Sequence, residues 1–368
     1  MAFIKALIPT PIQRSGLFVS IHTAGRRAGL CLAIAALLLS ACAPAGTAAP
    51  TAQPTVDVNS IPLPAPTSAP TLAPEPTATV PAAPTAAPSG PISLVDGMGR
   101  TVTLDGPAQR IISLTPVDTE ILFAIGAGSQ VLGVDQYSDY PEAVKQLKVV
   151  GTGVDKPDTE LILSLKPDLI LATGIVPVEK VKALEDLGLK VFTVATPTNF
   201  DGMYDSLRTV AKLSGHTPET ETLIASLQKR VKAVTDKVGT PATQPLVFYE
   251  LDGSDPSAPW TSGPGTFMDN LIRAAGGRNL GADLKADWVQ ISSEEIIRLN
   301  PDFILLGDFT FGGMTPDMVK ARSGWSGITA VKQNQVFTID DNIVSRPGPR
   351  LVDGLETIAK TLHPDLFK

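Results

Sequence analysis

Residues 160–171 read Glu-Leu-Ile-Leu-Ser-Leu-Lys-Pro-Asp-Leu-Ile-Leu, and residues 294–305 read Glu-Glu-Ile-Ile-Arg-Leu-Asn-Pro-Asp-Phe-Ile-Leu. Each stretch predicts a short helix that begins at a glutamate and ends at Pro-Asp, followed by a buried strand. Proline ends the helix because it has no amide hydrogen and its ring clashes with the preceding turn. The apolar run that follows is typical of a parallel strand covered on both faces. The repeat predicts two similar α/β lobes with a cleft between them.

The sequence around this repeat alternates strands and helices through short connections, which predicts mainly parallel sheets. We expect an N-terminal lobe over residues 92–216, with a helix at 119–125, and a C-terminal lobe over residues 239–368. Residues 217–238 carry apolar side chains at helical spacing, with Thr217 as the expected cap, and predict a rod of about 30 Å. The predicted fold class is α/β, with two Rossmann-like lobes joined by one long rigid α-helix.

The first 41 residues have the order of a secretory signal: two arginines, a short apolar core and a small-residue cleavage site. The sequence Leu-Ser-Ala-Cys at 39–42 resembles a bacterial lipobox, and this resemblance implies cleavage before Cys42 and lipid attachment to it. The chain has 2 cysteines, and the other, Cys31, lies in the apolar core of the signal. The mature chain is therefore expected to be anchored to the cell membrane by lipid on Cys42, and to have neither a disulfide nor a cysteine metal site.

Residues 42–91 consist almost entirely of Ala, Pro and Thr. Such a segment buries too little apolar surface to offset the entropy of ordering it, and its prolines favour extended conformations. We predict a disordered linker that holds the folded part away from a membrane.

Composition argues against several classes of function. The formal net charge is -7 and no basic stripe is present, which disfavours nucleic acid as a partner. The 3 histidines include His22 in the signal, so His216 and His363 alone would leave a zinc site without a third ligand. A Gly-x-Ser-x-Gly motif and a Walker loop are both missing from the sequence, so we expect neither a hydrolase nor an ATPase.

Several motifs of the folded part resemble the substrate-binding proteins of cobalamin and iron-siderophore ABC importers. In the first lobe the resemblance rests on residues 110–120, 125–128 and 133–141; in the second it rests on residues 325–337 and 346–350. It covers the chain from about residue 92 to the end. It implies a monomeric, non-enzymatic protein without a cofactor or metal, which holds a small molecule between two lobes and docks onto a permease with its ATPase.

The same resemblance implies that Glu160 and Glu294 dock the two lobes onto the permease, with Glu295 as an alternative to Glu294. Both glutamates stand at the same distance before a Pro-Asp pair. The simpler interpretation is that they are solvated glutamates in a first helical turn, where the helix dipole favours negative charge.

The ligand is expected to be a corrinoid. Residues 137–141, Tyr-Ser-Asp-Tyr-Pro, look most like the cobalamin-binding branch, which implies that Tyr137 lines the cleft, together with Trp260 and Trp288. Asp341 and Arg346 are expected to supply polar contacts at the edge of the cleft. One departure is that Gly151-Thr152-Gly153 stands where the cobalamin branch has a tryptophan.

Three alternatives remain open from the sequence. A ferric siderophore would need several cations in the cleft, where the candidate loops offer mainly Arg346. Haem would need an iron ligand, which Tyr137 or Tyr140 can provide. A lipid-anchored sensor that binds the ligand without importing it has the same sequence features.

Overall fold

The computed structural model describes residues 90–239 and 243–368. The predicted signal, the lipidation site Cys42 and nearly all of the predicted linker lie outside the described residues. Within residues 90–239 the first lobe has nine strands, listed in chain order: β1 Ile92–Val95, β2 Thr101–Leu104, β3 Ile111–Ser113, β4 Val131–Val134, β5 Lys148–Val149, β6 Gly151–Thr152, β7 Lys156–Pro157, β8 Leu169–Thr173 and β9 Val191–Val194.

Five of these strands form a parallel sheet in the order β5-β4-β3-β8-β9. Strands β3 and β8 at its centre are buried at every residue, as the continuous apolar runs predict. Strands β1 and β2 form an antiparallel hairpin, and the Gly97 N–H at its turn donates to the Thr193 carbonyl of β9 at 2.6 Å. The hairpin is thereby fixed to the edge of the sheet.

The helices of this lobe are α1 Pro116–Ala124, α2 Thr159–Leu165, α3 Val178–Glu185 and α4 Phe200–Ser214. Helix α1 begins three residues before the predicted start. The reason is a cap that we overlooked: the Thr115 side chain accepts from the Asp118 N–H, and Pro116 occupies the first turn. Gly126 follows in the left-handed conformation, so the Gly-Ala-Gly segment at 126–128 closes the helix.

One helix, α5 Thr217–Val238, connects the lobes. Its cap position is His216, so the expectation that Thr217 caps it was wrong, and Thr217 is the first helical residue. Ile224, Leu227 and Val234 are buried on its inner face. It packs against α4 of the first lobe and the last helix of the second. Side-chain packing at both ends makes it a stiff connector.

Residues 243–368 form the second lobe, with strands β10 Leu246–Glu250, β11 Trp260–Ser262, β12 Arg278–Asn279, β13 Trp288–Gln290, β14 Phe303–Leu306 and β15 Val336–Thr338. Four of them make a parallel sheet in the order β12-β10-β14-β15, and β11 and β13 pair as a separate antiparallel ribbon. The helices are α6 Phe267–Ala274, α7 Ser293–Leu299, α8 Phe309–Gly312, α9 Pro316–Lys320, α10 Thr329–Lys332, α11 Asp341–Val344 and α12 Leu351–Leu362.

The repeated sequence forms the same unit in both lobes. Helices α2 and α7 each have seven residues. The residue that follows each helix, Lys166 after α2 and Asn300 after α7, has a left-handed backbone conformation. The aspartate of each Pro-Asp pair then accepts from backbone N–H groups at the start of the neighbouring strand: Asp168 binds Arg110 N at 3.0 Å, and Asp302 binds Leu246 N at 2.8 Å. In each lobe the aspartate therefore links the strand that follows it to the neighbouring parallel strand, β8 to β3 in the first lobe and β14 to β10 in the second.

Neither a membrane-spanning helix nor a cluster of metal ligands is found among the described residues. No helix among them is both long enough and apolar enough to cross a membrane. No group of three or more His, Cys, Asp or Glu side chains within residues 90–239 and 243–368 is placed to hold a metal ion.

Candidate ligand-binding cleft

The lobes meet beside the carboxyl ends of the first-lobe strands β8 and β9, at Thr173 and Val194. The carboxyl ends of parallel strands are the usual position for ligands in α/β proteins. An apolar cavity lies at this junction. Residues of both lobes line it, among them Val117, Ile121, Thr173 and Val194 of the first lobe and Phe267 and Pro347 of the second. The two lobes are therefore in direct contact below the rim of the cleft.

Tyr137 lies on the segment that follows β4 and is half-buried. Its N–H donates to Asp135 Oδ2 at 3.0 Å, and its carbonyl accepts from Arg346 Nη2 at 3.2 Å. Burial raises the pKa of Asp135 to about 6, against the hydrogen bonds from Ser138 and the Tyr137 N–H. The backbone of Tyr137 is thus held from both lobes.

The two tryptophans predicted for the cleft lie on one ribbon. Trp260 stands opposite Gln290 and Ser262 opposite Trp288. Because side chains alternate along a strand, Trp260 and Trp288 share a face of the ribbon as a diagonal pair. Both are half-buried, and the Trp288 ring packs against Phe267 with a centroid distance of 5.4 Å. The structure brings these aromatic residues together.

Trp325, the third tryptophan, lies in the interior of the second lobe. It is fully buried, and its Nε1 donates to Ser293 Oγ at 2.6 Å.

Asp341 begins α11 and is buried, whereas the sequence suggested a polar contact at the cleft edge. Its two carboxylate oxygens accept from the Thr310 and Phe311 N–H groups of α8, each at 3.2 Å. Burial raises the pKa of Asp341 to about 6. The carboxylate therefore fixes the backbone of a neighbouring segment.

Arg346 is also buried, with 3% of its surface exposed. Its Nη1 donates to Glu120 Oε1 at 3.1 Å and to Asp139 Oδ1 at 2.6 Å, both in the first lobe. Arg350 binds Glu120 as well, and its guanidinium lies 4.1 Å from the centre of the Tyr140 ring. We call Glu120, Asp139, Arg346 and Arg350 the interlobe ionic network.

Sequence reasoning missed three members of this network: Glu120, Asp139 and Arg350. The available signal was a glutamate directly before the apolar run Ile121–Ala124, since a carboxylate is rarely buried without a partner. The identity of that partner could not be derived, because Arg346 lies in the other lobe, 226 residues later.

Backbone atoms of the first lobe pack closely against the two glycines at and beside β6. Gly151 has a φ of +86°, and a Cβ on Gly153 would lie 1.8 Å from the Leu114 carbonyl oxygen. No side chain fits at Gly153 without displacement of the backbone. This finding gives a physical reason for the small residues at the position where the sequence departs from the cobalamin-binding pattern.

The two predicted docking glutamates are in equivalent places. Glu160 and Glu294 are each the second residue of α2 and α7, and both are exposed. Neither forms an ion pair with another described residue. Glu295, in contrast, accepts from Arg298 Nε at 2.7 Å, and this hydrogen bond lowers the pKa of its carboxyl. Glu295 is therefore already paired with Arg298, whereas Glu294 has no ion-pair partner among the described residues.

The two described histidines lie at helix ends. His216 is at the start of α5 and His363 follows the last residue of α12. The ligand-contact and docking roles given to Tyr137, Trp260, Trp288, Asp341, Arg346, Glu160 and Glu294 remain predictions.

Comparison with known proteins identifies the family. A family model described as "Periplasmic binding protein" matches residues 111–343. The chain is 34% identical over 283 residues to an uncharacterized ABC transporter substrate-binding lipoprotein, YvrC, of Bacillus subtilis (strain 168), covering 76% of this chain and 87% of that one. It is 30% identical over 282 residues to a cobalamin-binding protein of Halobacterium salinarum, covering 75% of each.

A solved structure agrees with these relatives. The periplasmic heme-binding protein RhuT from Roseiflexus sp. RS-1 superposes with a TM-score of 0.64 at 28% identity, over 70% of this chain and 99% of that one. The chain therefore belongs to the periplasmic binding protein family, as a substrate-binding protein of the ABC-importer type.

Proposed function

We propose that this protein captures a corrinoid between its lobes and delivers it to an ABC import permease. The observation that carries the proposal is the diagonal pair of Trp260 and Trp288 on one face of the β11–β13 ribbon. Large flat rings are well suited to aromatic walls, which bury much area with little loss of rotamer entropy. The cobalamin-binding relative of Halobacterium salinarum supports the same ligand class.

The charges at the lobe junction favour this ligand over an anionic siderophore. Arg346 and Arg350 are both engaged by first-lobe carboxylates, Glu120 and Asp139. Binding an anionic chelate through them would require breaking these buried pairs, which is costly. A ligand recognised mainly by its apolar faces needs no such rearrangement.

Haem is the second candidate, because Tyr137 and Tyr140 stand on the segment that reaches the lobe junction. A tyrosine oxygen is an established ligand of haem iron. The likeness to RhuT supports this alternative.

The test is isothermal titration of the purified chain with cyanocobalamin, haemin and a ferric hydroxamate siderophore. We expect submicromolar binding of cyanocobalamin that is lost in a Tyr137→Ala, Trp260→Ala variant. Haemin binding without cobalamin binding would select the second candidate. Tight binding of the siderophore alone would refute both planar ligands while keeping the architecture.

Delivery to a permease is proposed through Glu160 and Glu294. Each is the second residue of its helix, α2 or α7, so each lobe presents one exposed carboxylate. A permease made of two subunits, each with an arginine at its surface, could then bind one carboxylate per subunit. Such exposed pairs mainly set orientation and encounter rate. Glu294 is chosen over Glu295 because Arg298 already binds the latter.

The docking test is uptake of cyanocobalamin by cells that depend on this chain. We expect the Glu160→Lys, Glu294→Lys variant to lose uptake while it binds cobalamin normally. Glu179→Lys is the matched control, since Glu179 is an exposed first-turn glutamate of α3. Full uptake by the double variant would favour the alternative of a ligand-binding sensor without transport.

The extracytoplasmic position is proposed to depend on a lipid on Cys42. The similarity to a substrate-binding lipoprotein of Bacillus subtilis supports this anchor. A Cys42→Ser variant is expected to leave the membrane fraction, and retention of that variant in the membrane would contradict the anchor.

A further inference from the structure

Helix α1 carries two consecutive polar residues, Thr119 and Glu120, in the interior of the protein. Thr119 is fully buried and Glu120 is 3% exposed. Buried polar side chains are nearly always hydrogen-bonded. Here each of them begins a series of hydrogen bonds that ends on the backbone of Tyr137, the residue predicted to contact the ligand from the first lobe.

The first series stays within the first lobe. Thr119 Oγ1 lies 2.8 Å from Ser138 Oγ, and Ser138 Oγ donates to Asp135 Oδ1. Because Ser138 has a single hydroxyl hydrogen and Asp135 accepts it, Thr119 is the donor to Ser138. The other carboxylate oxygen of Asp135 accepts from the Tyr137 N–H at 3.0 Å. Three hydrogen bonds thus link α1 to the N–H of Tyr137.

The second series passes through the second lobe. Glu120 Oε1 accepts from Arg346 Nη1 at 3.1 Å, and Arg346 Nη2 donates to the Tyr137 carbonyl at 3.2 Å. The residues on either side of Arg346, Ser345 and Pro347, line the cavity at the lobe junction. The carbonyl of Tyr137 is therefore linked to α1 by way of a residue that lies at the junction of the two lobes.

The two series form a closed loop, because they start at consecutive residues of α1 and end on the same residue. We call this loop the Tyr137 clamp; its members, besides Tyr137 itself, are Thr119, Ser138, Asp135, Glu120 and Arg346. The N–H and the C=O of one residue belong to the two planar peptide groups on either side of its Cα. Fixing both groups sets φ and ψ of Tyr137, and with them the direction in which its side chain leaves the backbone.

We propose that Thr119, Ser138 and Asp135 are positioning residues of the ligand site, which hold Tyr137 in its binding orientation together with Arg346 of the second lobe. The inference rests on the proposed capture of a corrinoid with Tyr137 as a contact. A backbone that is already fixed reduces the entropy lost when the tyrosine ring packs against a ligand. Because one series crosses between the lobes, the orientation of Tyr137 also depends on the lobe arrangement.

The first test compares affinities for cyanocobalamin by isothermal titration of the full chain. Thr119→Val and Ser138→Ala should each bind about five- to tenfold more weakly, and Ser138→Thr, which keeps the hydroxyl, should bind within twofold of the wild type. Thr220→Val is the matched control, since Thr220 is also a fully buried helical threonine, whose hydroxyl donates to the nearby His216 carbonyl at 2.7 Å. A Thr119→Val affinity within twofold of the wild type, or an equal loss in Thr220→Val, would overturn the positioning role.

The second test is a double-mutant cycle, which separates an effect exerted through Tyr137 from a general loss of stability. Ser138→Ala should weaken cobalamin binding in the wild-type background and have little further effect in the Tyr137→Ala background. An equal loss of affinity in both backgrounds would show that the hydroxyl acts elsewhere and would overturn the inference.

The third test needs no ligand and measures the hydrogen-exchange rate of the Tyr137 amide by nuclear magnetic resonance. Exchange should be at least fivefold faster in Ser138→Ala than in the wild type, and unchanged in Thr220→Val. An unchanged rate in Ser138→Ala would overturn the clamp whatever the ligand is. Faster exchange in that variant, together with a wild type that binds no cobalamin, would support the clamp and show that the proposed ligand is wrong.

Discussion

Arg350 donates two hydrogen bonds to the Glu120 carboxylate, from Nε at 2.9 Å and from Nη2 at 2.6 Å. Arg350 belongs to the second lobe and Glu120 to the first, and Glu120 is 3% exposed. Arg346 binds the same carboxylate at 3.1 Å. Removing one member of such a buried network leaves the other charges without a partner, which typically costs about 3–5 kcal/mol. The network therefore holds the two lobes in one relative orientation.

A Glu120→Gln substitution tests this role. We expect the free energy of unfolding to fall by about 2 kcal/mol or more, because two guanidinium groups lose their shared negative charge in a buried site. Urea unfolding measures the change. Glu142→Gln is the control, since Glu142 forms an exposed pair with Lys145 that contributes about 0–1 kcal/mol. Equal stability of the two variants would contradict the buried network.

Lobe closure on ligand binding should be small. Helix α5 packs on both lobes, and its Arg230 binds Glu356 and Asp353 of α12 at 2.9 and 2.6 Å. A helix held at both ends resists the wide opening that flexible hinge strands allow. Small-angle scattering with and without cyanocobalamin should give nearly superimposable curves. A large decrease in the radius of gyration on binding would disprove the stiff connector.

Stability should increase as the pH falls from 8 to about 5.5. Burial raises the pKa of Asp118 to about 7 and that of Asp135 to about 6. Because these values exceed those of the unfolded chain, the folded state binds more protons in this range and gains stability as they bind. Each unit of pKa difference corresponds to about 1.4 kcal/mol.

Urea unfolding of Asp118→Asn at both pH values isolates the contribution of Asp118. The variant should show a smaller gain in stability between pH 8 and pH 5.5 than the wild type, because the titrating group is gone. The same pH dependence in both proteins would show that Asp118 is not the group responsible.

The first-lobe rim should not accept a side chain at Gly153. A Cβ there would meet the Leu114 carbonyl oxygen at 1.8 Å, so Gly153→Ala forces the backbone to move. We expect a loss of about 1–3 kcal/mol in the free energy of unfolding, as for other overpacked sites. Gly106→Ala is the control, because nothing lies within 4 Å of its added Cβ. A neutral Gly153→Ala would mean that this rim is more adaptable than the structure indicates.

Much of the fold was predictable because the sequence repeats a local signal. The helix, the Pro-Asp break and the buried strand at 160–171 and 294–305 each follow from periodicity and proline chemistry, and the structure confirms both copies. The connecting helix 217–238 was predictable from the helical spacing of its apolar side chains. The start of α1 was missed although Thr115-Pro116 is a capping signature.

The candidate site was less predictable, because its polar groups find partners far away in sequence. Asp341 was expected at the cleft edge, but its carboxylate binds the backbone at residues 310–311, and no local pattern specifies that contact. Arg346 is paired with a glutamate in the other lobe. The Glu295–Arg298 ion pair was accessible, however, since Arg298 stands three residues after Glu295 at the spacing of a helical ion pair.

The most direct measurement is a crystal structure of the protein with cyanocobalamin. We predict electron density for the corrin ring between the lobes, against Trp260 and Trp288 and within reach of Tyr137. The hydrogen bonds between Glu120 and Arg350 should remain intact. Density for the ligand outside the interlobe cleft, or a crystal grown at saturating cobalamin with an empty cleft, would contradict it.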